Sequence, residues 1–357
     1  MLPTNITIRE VAKAAGVSVS TVSRVLNDKE DVAPATYARV RQVIEELGYM
    51  SSLAAQSMRS HKTHVIGVLI TDLSASFSLE IVRGLGLALQ ALDYDLIIYS
   101  SGRMPGSDAA WARKHIIRLN SSITDGLIVI APATANLPTG GPLVVIDPHE
   151  GMELWPSVLS ANRAAAQEAV AYLVALGHRR IGFAGGRDGL VSAGQRRLGY
   201  LDALAAAEIT PEAELIVAGD YSYDAGFAAA QRLLTLAAPP TAVFAANDLA
   251  AKGVMDAAHR AGMSVPDDLS VVGFDDIPEA AHFSPRLTTV AQPIHEMASV
   301  ATTMLVDLIR GRSLPTLHVE LPTRLVKRDS CRSPAPKLAA PQQDRSHRSF
   351  ARARSES

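Results

Sequence analysis

Residues 7–27, TIREVAKAAGVSVSTVSRVLN, set the reading of this chain. Thr7 and Glu10 have the spacing of a capping box, in which the threonine oxygen accepts the N3 amide and the glutamate returns the bond. Ile8, Val11 and Ala12 then share one face of a first short helix. Gly16 supplies the backbone freedom of a tight turn, and Ser18 is placed to cap a second helix. On that helix Val22, Val25 and Leu26 form a buried stripe, leaving Ser20, Ser23 and Arg24 outside. A small helix with an apolar back and a Ser/Thr/Arg face suits the major groove of DNA, although an ordinary helical hairpin has the same pattern.

The following segment narrows the choice. Pro34 suits the first position of a third helix, whose apolar face is Tyr37, Val40, Ile44 and Leu47 and whose end is Gly48. Residues 49–60 are weakly apolar and helix-compatible, and VIGVLI at 65–70 reads as a buried strand. The stretches VSVSTVSRVLN, ELGY, IGVL, LGHRRI, ANDLAAKGV, SVVGFDDIPEA and LTTVAQP follow in that order. With them the chain resembles the Lac/Gal repressor (LacI/GalR) family of bacterial transcription regulators over about residues 5–330.

Composition fits a soluble intracellular protein. The formal charge is −2, with 48% hydrophobic and 5% aromatic residues, so the core should be aliphatic and small-residue-rich. Residues 1–62 carry eight basic and six acidic side chains, a net of +2 that favours placed contacts over bulk electrostatics. A lone cysteine, Cys331, excludes a disulfide within one chain and suits a reducing cytoplasm. No secretory signal pattern and no apolar run of about 18 residues is present, so a cytoplasmic protein without membrane contact is expected.

From residue 63 onward, aliphatic runs alternate with amphipathic helix-length segments. Strands are expected at 65–70, 96–99, 127–130 and 143–146, and again near 181–184, 215–217, 243–245 and 269–274. Two such series predict two Rossmann-like α/β lobes, with ligand in the crevice at the carboxyl ends of their strands. The fold expected is therefore a small all-α helix-turn-helix domain followed by a two-lobed core like that of periplasmic binding proteins. No catalytic or metal-binding constellation competes, and no cofactor is expected. GGRDG at 185–189 misses both the dinucleotide and the Walker patterns, and His178 reads as helix-end chemistry after Gly177.

The resemblance implies a finer division. The headpiece would span 1–50 and a hinge helix 51–62, with the core at 63–330; beyond the resemblance, the polar, proline-bearing and basic residues 331–357 read as a disordered tail. Three crossings would give lobe 1 residues 63–161 and 292–320, and lobe 2 residues 162–291 and 321–330. It places Val19, Ser20 and Arg24 at base-reading positions, with Arg24 suited to a bidentate guanine contact. Thr7, Ser18, Thr21 and Ser23 become phosphate positioners, though solvation of the helix explains Thr21 and Ser23 equally well. Met58 aligns with the hinge leucine that wedges into the minor groove. Ser51, Ser52 and Gln56 depart from the usual Pro-Asn and arginine, which weakens hinge initiation and one phosphate contact.

In the crevice, strand-end polar groups are what a polyhydroxylated ligand needs, because carboxylates accept from hydroxyl pairs and a guanidinium donates to oxygens. The resemblance favours Asp147, Arg196, Asn247 and Asp275 as the polar set, with Phe77, Ser192 and Tyr221 lining it. Asp248 and Asp276 read equally well as ligand groups or as helix caps and lobe-structural groups. The implied partners are palindromic double-stranded operator DNA, a mono- or oligosaccharide effector and a second copy of the chain. A stand-alone sugar-binding protein of the periplasmic type shares the core, but has no use for residues 1–60.

Overall fold

The structure, a computed structural model, describes residues 6–26, 29, 31–49, 62–100, 108–120, 123–138 and 140–334. Met58 and the expected hinge helix lie outside these residues, as does the tail beyond residue 334.

Three helices form the headpiece: α1 (Ile8–Ala15), α2 (Val19–Leu26) and α3 (Pro34–Leu47). The capping box closes in both directions. The Thr7 amide donates to Glu10 Oε2 at 2.7 Å, and the Glu10 amide donates to Thr7 Oγ1 at 3.4 Å. Gly16 takes φ 64° between α1 and α2, where a side chain would be strained. Ser18 Oγ accepts the Thr21 amide at 3.1 Å and so starts α2. Val11, Ala12, Ala15, Val22, Val25 and Val40 are buried together, with Tyr37, Ile44 and Leu47 packed against them.

The core holds two six-stranded sheets. The first contains β1 (Val65–Ile70), β2 (Asp95–Ser100), β3 (Gly126–Ile130), β4 (Leu143–Ile146), β5 (Ser157–Ser160) and β11 (His318–Leu321), in the order β11-β5-β4-β3-β1-β2. Every neighbouring pair in it is parallel. The second contains β6 (Ile181–Arg187), β7 (Ile216–Gly219), β8 (Ala242–Ala245), β9 (Ser270–Asp275), β10 (Thr288–Ala291) and β12 (Arg324–Val326), in the order β12-β10-β9-β8-β6-β7. Here only β12 runs antiparallel to its neighbour. Helices α4 (Ser76–Gln90), α5 (Asp108–Asn120) and α10 (Ile294–Ile309) go with the first sheet. Helices α6 (Asn162–Ala175), α7 (Val191–Ala206), α8 (Tyr223–Leu234) and α9 (Asp248–Arg260) go with the second. Separate apolar clusters pack the two lobes, as a sheet buried on both faces requires. No helix among the described residues is long and apolar enough to cross a membrane.

The chain passes between lobes after β5, after β10 and after β11, and these crossings are bonded to one another. The Ala161 amide donates to Leu321 O at 2.9 Å, and Ser160 Oγ donates to Gln292 Oε1 at 2.6 Å. Two expected boundaries move. Leu321 pairs with Ser160 in the first sheet, so the return to the second lobe begins after it. Residues 331–334 do not begin a disordered tail: the Arg332 amide donates to Ser270 Oγ at 3.0 Å, and the Cys331 thiol to Val271 O at 3.2 Å. His178 does sit at a helix end, its amide donating to Leu173 O at 3.1 Å, but its ring turns inward. It is 2% exposed and joins Thr241, Ser270 and the Arg332 carbonyl, and burial holds its pKa below the ordinary value.

Helices α8 and α9 approach until backbone meets backbone. A Cβ added at Gly226 would lie 2.1 Å from Ala250 O, and one at Gly253 2.2 Å from Tyr223 O. Gly226→Ala should therefore force the pair apart and cost about 1–3 kcal/mol of stability. Urea unfolding of the full chain measures it, and an unchanged midpoint would contradict this account of the packing.

Candidate functional site

A cavity of about 680 Å³ lies between the lobes at the carboxyl ends of their strands. Phe77, Asp147, Arg196, Tyr221, Asn247 and Asp275 line it, as do Asn162, Arg187 and Gln292. Ser192 does not line it. Its hydroxyl sits behind the wall, donating to Asp147 Oδ2 at 3.1 Å and bonding the Tyr221 hydroxyl at 2.9 Å, so it orients two lining groups.

Arg196, 4% exposed, organises the second-lobe side. Its Nε donates to Asn162 Oδ1 at 2.8 Å, and its Nη1 donates to Ala246 O and, at 3.4 Å, to Asp275 Oδ1. The guanidinium lies over the Phe274 ring, 3.6 Å from its centroid. Gln292, in the crossing after β10, donates to Asp275 Oδ1 at 2.7 Å. Burial raises the Asp275 carboxyl to about 6, against the pull of Arg196 and Gln292. Burial also raises Asp147, opposed by Arg196 and by the Ser192 hydroxyl. The Tyr221 phenol is pushed up to about 12 by burial, so it stays protonated at neutral pH.

Asn247 has two local duties. Its Oδ1 caps α9 by accepting the Ala250 amide at 2.9 Å, and its Nδ2 donates to Tyr221 O at 3.0 Å. The carboxylates left open by the sequence reading are structural. Asp248 is fully buried and accepts from the Ile277 amide at 2.9 Å and from the Thr289 hydroxyl. Asp276 pairs with Arg328 at 2.6 Å.

Arg187 escaped the sequence reading. It ends β6 in the second lobe and reaches across the cleft, donating to Ala131 O, to Pro132 O at 3.4 Å and to Thr71 Oγ1 at 3.3 Å in the first. The backbone is unusual on the same rim. Ala131 (φ 44°), Asp147 (φ 55°), Tyr221 (φ 71°) and Asp275 (φ 113°) all have positive φ. Such strain in non-glycine residues concentrates at functional sites.

On the headpiece, Val19 is 41% exposed at the start of α2. Ser18 Oγ bonds Ser20 Oγ at 2.7 Å and Thr21 Oγ1 at 2.9 Å. Arg24 pairs with Asp31 at 3.1 Å, both side chains 58% exposed. Thr7 and Ser20 are exposed and Ser23 is half-buried. The polar face of α2 is thus turned outward and its apolar face inward.

Comparison with known proteins gives these features a setting. The model for bacterial regulatory proteins of the lacI family matches residues 7–52, and a periplasmic binding protein-like domain matches 170–331. The "Probable HTH-type transcriptional repressor ExuR" of Bacillus subtilis is 34% identical over 333 residues, covering 92% of this chain and 98% of the relative. The ribose operon repressor of Halalkalibacterium halodurans is 34% identical over 330 residues, covering 91% and 96%. A crystal structure of the Lac repressor dimer bound to operator and the anti-inducer ONPF superposes with a TM-score of 0.80 at 28% identity, covering 92% and 100%. Fold and site together define a helix-turn-helix transcription regulator with a ligand-sensing two-lobed core. The chain belongs to the LacI family of bacterial regulatory proteins. These relatives are repressors and not enzymes, and they match over headpiece and core alike, which disfavours a stand-alone binding protein.

The raised Asp275 carboxyl has a testable sign. The native state keeps this proton between the ordinary 3.8 and about 6, where the unfolded chain has lost it. Its contribution to stability is complete below the lower value and lost as pH rises through the upper one. Asp275→Asn removes that loss, so its melting temperature relative to the parent should climb between about pH 4 and pH 7.5. A pH-independent difference would show that Asp275 titrates normally.

Proposed function

We propose that this protein is a cytoplasmic, nucleoid-associated homodimer that represses a carbohydrate-utilisation operon and is controlled by a mono- or oligosaccharide in the interlobe cavity. The observation that carries the reading is the convergence of Asp147, Arg196 and Asp275 on one cavity, in a chain with an outward-facing helix-turn-helix. A carboxylate pair and a buried guanidinium bind hydroxyl-rich molecules well, and Phe77 and Tyr221 offer ring faces for the apolar side of a sugar. Asn247 lines the cavity beside them, and Ser192 acts through Asp147 and Tyr221. Among structural neighbours, one is a CelR–cellobiose complex at 31% identity and TM-score 0.70, and another, from Enterococcus faecium, holds ribose at 27% identity and TM-score 0.66.

At the operator, α2 enters the major groove. Arg24 leaves Asp31 for a guanine, while Val19 and Ser20 meet neighbouring base edges. Thr7, Ser18, Thr21 and Ser23 hold phosphates, and Met58 fills the kinked minor-groove step. Two copies on a palindrome double these contacts. Effector acts through its different affinities for two lobe arrangements, and it can shift operator occupancy only by that difference.

The test pairs one variant in each region. Arg24→Ala should cost about 1–3 kcal/mol per half-site on a palindromic operator and relax one base position, with little change on random duplex. Arg196→Ala should bind operator normally yet need at least about tenfold more sugar for release. Footprinting and gel shifts on the full chain read both. Equal loss on all DNA reduces Arg24 to a phosphate contact, and sugar release unaltered by Arg196→Ala places the effector elsewhere.

A further inference from the structure

We propose that the cleft selects uncharged, hydroxyl-rich effectors and rejects the uronic acid or sugar phosphate built on the same skeleton, an inference that rests on the sugar reading above. Among the described residues, the charged groups lining the cavity are Asp72, Asp147, Asp220 and Asp275 and the arginines Arg187 and Arg196. A two-pronged guanidinium clamp is the strongest grip a side chain could give an anionic ligand here, and neither arginine has one to offer.

A guanidinium presents two edges on which a pair of parallel N–H groups can grip a carboxylate or phosphate: Nε with Nη2, and Nη1 with Nη2. In Arg196, Nε is bound to Asn162 and Nη1 to Ala246 and Asp275, so each edge has already lost one nitrogen. In Arg187, Nη2 belongs to both edges and is held by the carbonyls of Ala131 and Pro132. What remains are single donors, suited to a ring or hydroxyl oxygen. Freeing an edge would strip a buried arginine of its partners or break the Arg187 bridge between the lobes, and each leaves a polar group unpaired.

The spare capacity in the cavity wall is of the opposite kind. Asp147 is 9% exposed, and its Oδ1 has no hydrogen-bond partner although Oδ2 accepts from Ser192. A buried acceptor without a donor is costly, and a sugar hydroxyl repairs it. A ligand carboxylate brings no proton to donate and adds a like charge in a cleft where water screens poorly. Discrimination thus has an attractive half, hydroxyl to Asp147, and a repulsive half, anion against carboxylates.

Matched pairs decide it on the full-length protein. Thermal shift and titration calorimetry would compare galactose with galacturonate, glucose with glucuronate and glucose 6-phosphate, ribose with ribose 5-phosphate, and cellobiose with cellobiouronate. Within the pair that binds, the neutral member should bind at least about tenfold more tightly. An acid or phosphate binding as tightly as its neutral partner overturns the charge selection and leaves the sugar reading standing. Silence from every pair overturns the sugar reading itself and this inference with it. Asp147→Asn, which removes the charge and the strong acceptor, should weaken the neutral ligand and narrow the gap within its pair. An unchanged gap in that variant overturns the role given to Asp147.

Discussion

The cleft is organised by one buried cation. Arg196 leaves α7 and joins the start of α6 through Asn162, the end of β8 through the Ala246 carbonyl and the end of β9 through Asp275, with its face against Phe274. A guanidinium 4% exposed is tolerable because its Nε and Nη1 have acceptors and its face lies on an aromatic ring. Removing one partner of such a set typically costs about 3–5 kcal/mol, far more than the pair contributes over an apolar replacement. The group therefore fixes where the strand ends of the second lobe lie. Gln292 carries the same network to Ser160 and so to the crossings that join the lobes.

Around that centre the chain gives up local comfort. Positive φ at Ala131, Asp147, Tyr221 and Asp275 turns four strand ends toward the cavity, and burial makes the ionised forms of Asp147 and Asp275 harder to reach. The large aliphatic cores on both sides of each sheet hold these positions in place. Arg187 adds a bond set that exists only while the lobes face each other, because its donors and acceptors belong to different lobes. Any ligand that changes this facing changes the relation between the two lobes as rigid bodies.

Much of this was legible before any coordinates. Thr7, Glu10, Gly16 and Ser18 act within one turn of themselves, so their spacing sufficed for the headpiece. VIGVLI, LVVI and SVVGFD are buried on both faces and read as strands from composition alone. Strands SVLS and HVEL did not stand out, because their polar groups are satisfied by residues far away in sequence. Ser157 bonds the His318 ring at 2.9 Å, and Ser160 bonds Gln292. Arg187 was hidden for the same reason: GGRDG carries no sign that its arginine would find carbonyls in the other lobe. Ser192 was placed at the cleft by likeness and proved to stand one layer behind it. The short-range chemistry was readable, and the interlobe chemistry was not.

On the proposed function, cavity and operator sites are coupled through the arrangement of the lobes. Coupling of this kind is reciprocal, so the factor by which effector changes operator affinity must equal the factor by which operator changes effector affinity. The most direct measurement is the dissociation constant, for the full-length protein, of the sugar selected by the matched-pair titrations, with and without saturating palindromic operator. The account predicts a shift, about 5–150-fold for coupling of ordinary strength, matching that seen in the operator titration. Identical sugar affinity in both states would contradict it.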